Sequence, residues 1–461
     1  MINGLALSIL LLAFFASVSF NGFFRSIAKK NKLLIDIPDK SRKFHFRATP
    51  LTGGLGIFFG ILISGILISG LTDANYSVDF SNKGFLDSSQ FQDRPVSKNF
   101  EVDDKKYALS LDKKSDEKIS VKINPNENST TDSNIVDIVP LSKNRFKAIL
   151  PNGEEKVYRI DAGDVIEVSS SNEAVDIFSP KNTDNINLDN FTISLYVCAL
   201  IIMIFMVFDD FFTIRPIFRL LFQFFISGFM IALSGEYLSN LGNLLGTGDI
   251  NLGIFSIPFT IICVVGIMNA YNMIDGLNGI CASLALIPIA YVTYLGNFSY
   301  GLLIPIGAIL GFLAYNLGYF GKRRRVFLGD SGSNMLGFAV AFICIEYSQN
   351  INHLSYINPV TALWLVFIPL VDCIAVMTVR ALNGIMPFRP GREHLHHRLL
   401  NMDIKPKKIL IIFIFLAVFL SFIGYAIELF YPGREYISFY TFCALSLIYF
   451  IVSIKNIQKN V

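Results

Sequence analysis

The strongest constraint on this chain is a succession of long apolar stretches that contain no charged residue. A helix needs about 20 apolar residues to cross the hydrocarbon layer of a bilayer, and such stretches recur along most of the chain. Only 16% of the 461 residues are charged and 43 are Phe, whereas soluble proteins carry roughly 25% charged residues. We therefore expect an all-α polytopic membrane protein.

The apolar stretches predict about eleven transmembrane helices. The charge-free stretch 276–321 is too long for one span, and Gly296-Asn297-Phe298-Ser299 marks a turn within it. The run at 2–24 lacks the basic start and cleavage site of a signal peptide, so we expect a retained helix. The spans are predicted at 4–24, 51–71, 191–208, 216–235, 254–271, 280–296, 300–320, 333–347, 360–380, 409–430 and 437–454.

The basic residues predict the direction of these spans. Of the 24 Lys and Arg outside 72–190, all except Arg434 fall in loops after odd-numbered spans or at the C-terminus. Basic loops remain on the cytoplasmic side of a membrane. We therefore expect an outer N-terminus and a cytoplasmic C-terminus.

Residues 72–190 are polar and carry a net charge of −7, from 15 Lys and Arg and 22 Asp and Glu. Their first half, 72–118, is typical of a linker or disordered segment. The second half contains strand-like runs and the hairpin signal Asn152-Gly153. The predicted domains are thus 1–71, a β-rich extracytoplasmic insert over 72–190 with an unknown partner, and 191–461.

Four acids collect at the predicted cytoplasmic ends of the spans. Asp209 and Asp210 end the third span, Asp275 follows the fifth, and Asp330 precedes the eighth. One such acid would be explained as a helix cap, but charges at membrane edges are costly and commonly functional. Adjacent carboxylates favour a shared cation or proton, and Mg²⁺ prefers a few carboxylates with waters and phosphates.

Two basic loops accompany the acids on the same predicted face. The loop with the sequence NGIMPFRPGREHLHHRLL has three possible roles: a membrane anchor, a zinc site or a diphosphate-binding site. Its clustered His and Arg favour diphosphate binding. The first loop ends in Gly53-Gly54, which either binds an anion or allows close helix packing. The candidate substrate-binding residues in the two loops are Lys43, His45, Arg47, Arg389, Arg392, His394 and His397, with His396 as a catalytic candidate.

An acidic centre beside basic loops predicts a membrane enzyme for phosphoryl or diphosphate chemistry on a lipid carrier. A proton-coupled transporter is the alternative from another class, but it would place its binding groups near the midplane. No nucleic-acid partner is expected, and the sequence leaves a homodimer open.

Five motifs carry a family resemblance: DIPDKSRKFHFRATPLTGG, FDDFFTIRPIFRLLFQ, NAYNMIDGLNGI, VFLGDSGS and PFRPGREHLHH. Together they resemble the polyprenyl-phosphate N-acetylhexosamine-1-phosphate transferases over about 1–71 and 191–461. The resemblance implies a bacterial cytoplasmic (inner) membrane enzyme with its active site facing the cytoplasm. It implies transfer of N-acetylglucosamine 1-phosphate from UDP-N-acetylglucosamine to undecaprenyl phosphate, which initiates a lipid-linked surface glycan such as O-antigen.

The resemblance also implies roles for individual residues. Asn272 and Asp330 match positions that hold Mg²⁺, for which Mn²⁺ is the substitute, and Asp209 and Asp210 match the pair that positions the lipid phosphate. Asp275 matches a further active-site acid. Asn278 stands where bacterial members commonly have a uracil-contacting Asp, and an amide can still hydrogen-bond uracil.

The alternative within the family is the phospho-N-acetylmuramoyl-pentapeptide transferase of peptidoglycan synthesis. That enzyme typically has three adjacent His after the ninth span, whereas this chain has His394-Leu395-His396-His397. The interrupted run favours the N-acetylglucosamine donor.

Overall fold

Helices dominate the chain outside 72–189. The computed structural model describes residues 4–36, 48–71, 190–212, 214–295, 300–349, 357–386, 391–431 and 433–458, and separate strands within 72–189. The described helices are α1 (Gly4–Asn31), α2 (Gly53–Leu71), α3 (Asn190–Phe212), α4 (Pro216–Ser234), α5 (Ser256–Ile274), α6 (Ile280–Leu295), α7 (Tyr300–Asn316), α8 (Gly329–Gln349), α9 (Pro359–Leu365), α10 (Phe367–Leu382), α11 (Leu395–Asn401), α12 (Pro406–Phe430) and α13 (Glu435–Gln458).

The helices make this a multi-pass membrane protein. Among the described residues, α1, α3, α4, α5, α12 and α13 are each long and apolar enough to cross a bilayer, and the bent pair α9 and α10 adds a seventh candidate. The apolar helices α2, α6 and α7 are shorter. Large side chains such as Ile411, Phe415 and Phe419 form an exposed apolar stripe along α12. The full count of eleven spans and their direction stay predictions.

The ninth predicted span, 360–380, is not one straight helix. The structure breaks it at Val366 into α9 and α10, which differ in direction by 78°. Pro369 lies in the first turn of α10 and has no backbone N–H for the carbonyl of Leu365. A proline inside a continuous helix would lose that bond and clash with the same carbonyl, so the chain bends there.

Helix α8 lies in the centre of the bundle. It packs against α2, α3, α5, α6 and α9, and 17 of its 21 residues are buried. Neighbouring helices therefore cover it on most sides, which explains why it holds more Gly, Ser and Asn than a helix facing lipid could. Its first turn carries Asp330.

Glycines allow α1 to pack closely against its neighbours. A Cβ atom added at Gly60 of α2 would lie 2.8 Å from Ser17, and one at Gly307 or Gly311 of α7 would lie 2.4 or 2.6 Å from carbonyl oxygens of α1. Small residues at four-residue spacing permit this approach of helix backbones in membranes.

Residues 79–185 fall, with 350–354, into a second compact unit. Two short strands between α1 and α2, β1 (Ile35–Asp36) and β2 (Thr49–Pro50), pair with each other. The described strands of the second unit are β3 (Val96–Val102), β4 (Lys105–Ser115), β5 (Lys118–Pro125), β6 (Val136–Ser142), β7 (Arg145–Ile149), β8 (Glu155–Arg159), β9 (Val165–Val168) and β10 (Val175–Phe178). Strands β3 to β8 form an antiparallel sheet in chain order, and β9 pairs with β10. An extracytoplasmic location for this segment stays a prediction.

The expectation of a linker over 72–118 is wrong for its last part, because β3 and β4 pair in register from Val96 with Leu111 to Val102 with Lys105. Alternating apolar residues, Tyr107, Leu109 and Leu111, give β4 the period of a strand. The residues of the predicted Asn152-Gly153 turn lie outside the described part.

Candidate active site

Two of the predicted acids are joined by an arginine. Arg219 of α4 contacts Asp209 Oδ2 through Nε and Asp330 Oδ2 through a terminal nitrogen, each at 3.1 Å. The backbone N–H of Ile214 donates to the other oxygen of Asp209 at 2.8 Å. The end of α3 and the beginnings of α4 and α8 therefore meet, with Asp209 buried and the Asp330 side chain 44% exposed.

A chain of three side-chain amides, two buried and one half-buried, supports the backbone at Asp330. Asn269 donates to Gln223 at 2.8 Å, Gln223 donates to Asn334 at 2.8 Å, and Asn334 donates to the Asp330 carbonyl oxygen at 2.8 Å. Buried polar groups restrict motion when each has a partner. The amide chain thus holds the first turn of α8 to α4 and α5.

Asn272 is connected to Asp330 through a serine. Its side-chain nitrogen donates to Ser333 Oγ at 3.0 Å, and Ser333 in turn donates to the Asp330 carbonyl oxygen at 3.3 Å. The structure therefore brings together the two residues that the resemblance matches to metal positions.

Gly53 and Gly54 close the same region by packing. Their N–H groups donate to the carbonyl oxygens of Phe327 and Leu328 at 2.9 and 3.1 Å. A Cβ atom at Gly54 would lie 2.6 Å from Gly332 Cα. Of the two explanations left open by the sequence, close packing accounts for both glycines, because their N–H groups are already bonded.

Asp275 ends α5 and lies in a different electrostatic environment. Burial, together with the negative charge of Asp330, raises the pKa of Asp275 to about 7. Its carboxyl group is therefore poised to exchange a proton near neutral pH. Within the described part of the chain, one buried carboxylate oxygen of Asp210 has no hydrogen-bond partner. Asn278, three residues after Asp275, is half-buried.

The loop that contains His394, His396 and His397, called the histidine loop below, is held in place by Asp372, which is not among the residues selected from the sequence. Asp372 of α10 contacts His394 Nδ1 at 2.8 Å and accepts from the Leu395 N–H at 3.0 Å and from the Tyr449 hydroxyl. Arg398 lies 3.6 Å from the same carboxylate. His394, predicted to bind substrate, thus has one ring nitrogen committed to the protein.

A second ion pair holds the beginning of the loop. Arg380 and Glu393 are 2.6 Å apart. Burial alone would raise the pKa of Glu393, but the hydrogen bond and charge of Arg380 outweigh it and lower that pKa.

His396 is buried and packs against the segment that follows Asp275. Neither of its ring nitrogens has a hydrogen-bond partner among the residues that the structure describes. Its Nε2 lies 2.0 Å from the position that a Cβ atom at Gly276 would take. Burial first, then His397 and His394, lower the pKa of His396 to about 3. Burial, His394 and Arg392 lower the pKa of His397 to about 4. Both rings are therefore neutral at pH 7.

Several predicted substrate-binding residues cannot be placed. Lys43, His45, Arg47 and Arg389 lie outside the described residues. Arg392 is exposed at the start of the loop.

A separate basic cavity lies at the end of α1. About 350 Å³ in volume, it is lined by Lys29, Lys322, Arg323 and Arg325. These residues belong to the basic loops on which the predicted direction rests.

Arg219 and Asp372 are the residues that sequence reasoning missed. Arg219 was counted only among the basic residues that predict the direction of the spans. Asp372 is a lone acid in the apolar text NPVTALWLVFIPLVDCIAV, and the rule that intramembrane charges are commonly functional would have selected it.

No three His, Cys, Asp or Glu converge on a metal position among the described residues. The residues present therefore form no closed cage of side chains. The donor set of Asp330 and Asn272 oxygens is the kind that suits Mg²⁺, which keeps waters and binds substrate phosphates.

The chain is similar to known membrane transferases. The family model described as glycosyl transferase family 4 matches residues 192–348. Three relatives, each named undecaprenyl-phosphate alpha-N-acetylglucosaminyl 1-phosphate transferase, come from Escherichia coli O157:H7, Yersinia pestis and Haemophilus influenzae. They are 33%, 34% and 32% identical over 56%, 49% and 55% of this chain, and 71%, 63% and 73% of their own lengths are covered.

Proposed function

The chain belongs to glycosyl transferase family 4, and on that premise we propose that it transfers N-acetylglucosamine 1-phosphate from UDP-N-acetylglucosamine to undecaprenyl phosphate. The products are undecaprenyl-diphosphate-N-acetylglucosamine and UMP. The relatives' names support this donor over a muramoyl-pentapeptide donor.

In the proposed reaction an oxygen of the lipid phosphate attacks the β-phosphorus of the donor. A new P–O bond forms to the lipid phosphate, and the bond from the β-phosphorus to the UMP oxygen breaks with its electron pair. The lipid phosphate is largely ionised near neutral pH, since its second pKa is about 6. The Asp209 and Asp210 pair therefore acts mainly in orienting the acceptor.

Asp330 and Asn272 would hold Mg²⁺ beside the donor diphosphate. A Mg²⁺ ion held there would offset negative charge on the diphosphate while its β-phosphorus bond to UMP breaks. Arg219, between Asp209 and Asp330, keeps the two carboxylates at a fixed separation. Asp275 holds or releases a proton near neutral pH.

The observation that supports the proposal most directly is the buried ring of His396 beside Gly276, unpaired within the described part of the chain. A buried polar group without a partner costs about 1–3 kcal/mol, and His396 has two such nitrogens. Its position against Gly276, one residue after Asp275, brings a neutral hydrogen-bonding ring to the acidic centre. A donor phosphate or sugar hydroxyl is a partner of the right chemistry, and Arg392 at the loop entrance supplies charge for the diphosphate.

Product analysis tests the function. Purified protein is incubated with undecaprenyl phosphate, Mg²⁺ and a panel of UDP-sugars, and lipid products are identified by mass spectrometry. We expect product from UDP-N-acetylglucosamine and none from the muramoyl-pentapeptide donor. His396→Asn should lose most of the activity. Asn401→Ala is the control and should retain it, because Asn401 is exposed at the end of α11, the helix that carries His396. Failure to release UMP from any UDP-amino sugar would refute the function.

We also propose that the active site faces the cytoplasm of a bacterial inner membrane, with 72–190 on the opposite side. The distribution of Lys and Arg supports this direction. The test is labelling with an impermeant thiol reagent in sealed cells, in a Cys443→Ser background because Cys443 is an exposed native cysteine. Ser115→Cys should react and Lys322→Cys should not. The reverse pattern would contradict the direction.

A further inference from the structure

Asp372 collects hydrogen-bond donors from two other parts of the chain. Its side chain is 2% exposed, yet one oxygen contacts His394 Nδ1 and the other accepts from the Leu395 N–H and the Tyr449 hydroxyl. Arg398 lies beside it and itself donates to Tyr449 at 2.6 Å. Burial of a carboxylate is tolerated only when its oxygens are satisfied in this way.

These contacts dock the short helix that carries the histidines. Helix α11 has seven residues and no side-chain cap of its own, and a helix of that length is not stable in isolation. The Leu395 N–H, which would be an orphan at the helix start, finds its acceptor in Asp372. Arg398 ties the other side of the helix to Ser453 and Tyr449 of α13.

The same carboxylate determines the tautomer of His394. A carboxylate only accepts hydrogen bonds, so the contacting Nδ1 carries the proton. Nε2 is then left as the ring position that can contact a ligand. The His394 ring is nearly parallel to that of His396, with centroids 6.0 Å apart and an interplanar angle of 6°.

We propose that Asp372 is a positioning residue for the UDP-sugar: it holds α11 against α10 and α13 and directs His394 Nε2 and His396 toward the donor. This inference rests on the proposed function, since the loop must contact the donor. Asp372 itself touches no substrate and acts through His394.

Asp372→Asn tests this role with little change in shape. The single amide oxygen is claimed by the Leu395 and Tyr449 donors, so the amide nitrogen faces His394 and forces its proton onto Nε2. For histidines that bind metals, loss of the carboxylate that orients the ring typically costs about 10–100-fold in affinity or activity, and we use the same scale for His394. We expect the KM for the UDP-sugar to rise by that factor, with the KM for undecaprenyl phosphate unchanged.

Two further variants bracket the result. Thr378→Ala removes a hydroxyl that donates to the Ile374 carbonyl oxygen of its own helix, α10, and it should leave both KM values unchanged. Tyr449→Phe removes one donor from Asp372 and should raise the donor KM by about 2–10-fold, which keeps the proposal testable if Asp372→Asn does not fold. An unchanged donor KM in a folded variant, or an equal rise in both KM values, would overturn the proposal.

A measurement without turnover separates this proposal from the function. The chain has five His, so selective ¹⁵N labelling of the imidazoles can report their tautomers by NMR. The wild-type protein should show an Nδ1-protonated His that converts to the Nε2 tautomer in Asp372→Asn. Absence of that conversion contradicts the positioning role. If the wild-type protein transfers no sugar while Asp372→Asn still shows the change of tautomer, only the proposed function is contradicted.

Discussion

Gly276→Ala is the sharpest test of how the histidine loop meets the acidic centre. The added Cβ atom would lie 2.0 Å from His396 Nε2, and ordinary contact begins at 3.4 Å. The ring must therefore withdraw by about 1.4 Å, because Gly276 lies on the backbone that follows Asp275. A displacement of about 1 Å in a catalytic site can reduce the rate about 100-fold, so we expect kcat/KM for the UDP-sugar to fall by that order.

The assay is UMP release by detergent-purified protein, with folding checked by thermal unfolding. Gly266→Ala in α5 is the matched control, because no atom of a neighbouring described residue lies within 4 Å of the added Cβ atom. Ala also favours a helix over Gly by about 1 kcal/mol. This control should retain activity. Wild-type kinetics in Gly276→Ala would refute the contact between His396 and this segment, and with it the role assigned to the ring.

Three other outcomes are expected. Asp330→Asn should lower turnover at least about 100-fold while the protein still folds, because Arg219 keeps Asp209 as a partner; near-normal turnover at limiting Mg²⁺ would exclude Asp330 as a ligand. The pKa of His396 is about 3, below the value of 6.5 for an unfolded His. The unfolded chain therefore binds more protons than the folded chain between pH 6.5 and 3. The free energy of unfolding should fall as the pH decreases through this range, by up to about 1.4 kcal/mol per pH unit. His396→Gln should reduce the slope of thermal stability against pH between pH 6.5 and 5, with His397, whose pKa is about 4, supplying part of the remaining slope. An unchanged slope would contradict the buried neutral ring. Replacing 75–188 with a Gly/Ser linker should leave transferase activity in detergent intact, since the candidate catalytic residues lie outside that segment, and inactivity of a folded deletion would show coupling.

The sequence was sufficient for features that depend on local composition. Apolar length predicts where helices lie because the hydrocarbon layer demands it, and the acids stand out because charges near a bilayer are costly. Five motifs were sufficient for the family. The Gly, Ser and Asn of α8 reduce its hydropathy, so the sequence predicts there only the short span 333–347.

Only the tertiary structure decided which of these residues meet. Arg219 lies 111 residues from Asp330, and Asp372 lies 77 from Tyr449; such pairings depend on how helices pack, which a charge count does not report. For the same reason Arg219, which the sequence offered only as a basic residue of a predicted cytoplasmic loop, forms ion pairs with two acids. His394, a candidate substrate-binding residue, uses one ring nitrogen to contact Asp372. The break at Val366 and the packing of Gly276 against His396 likewise depend on distances between backbones that composition leaves undetermined.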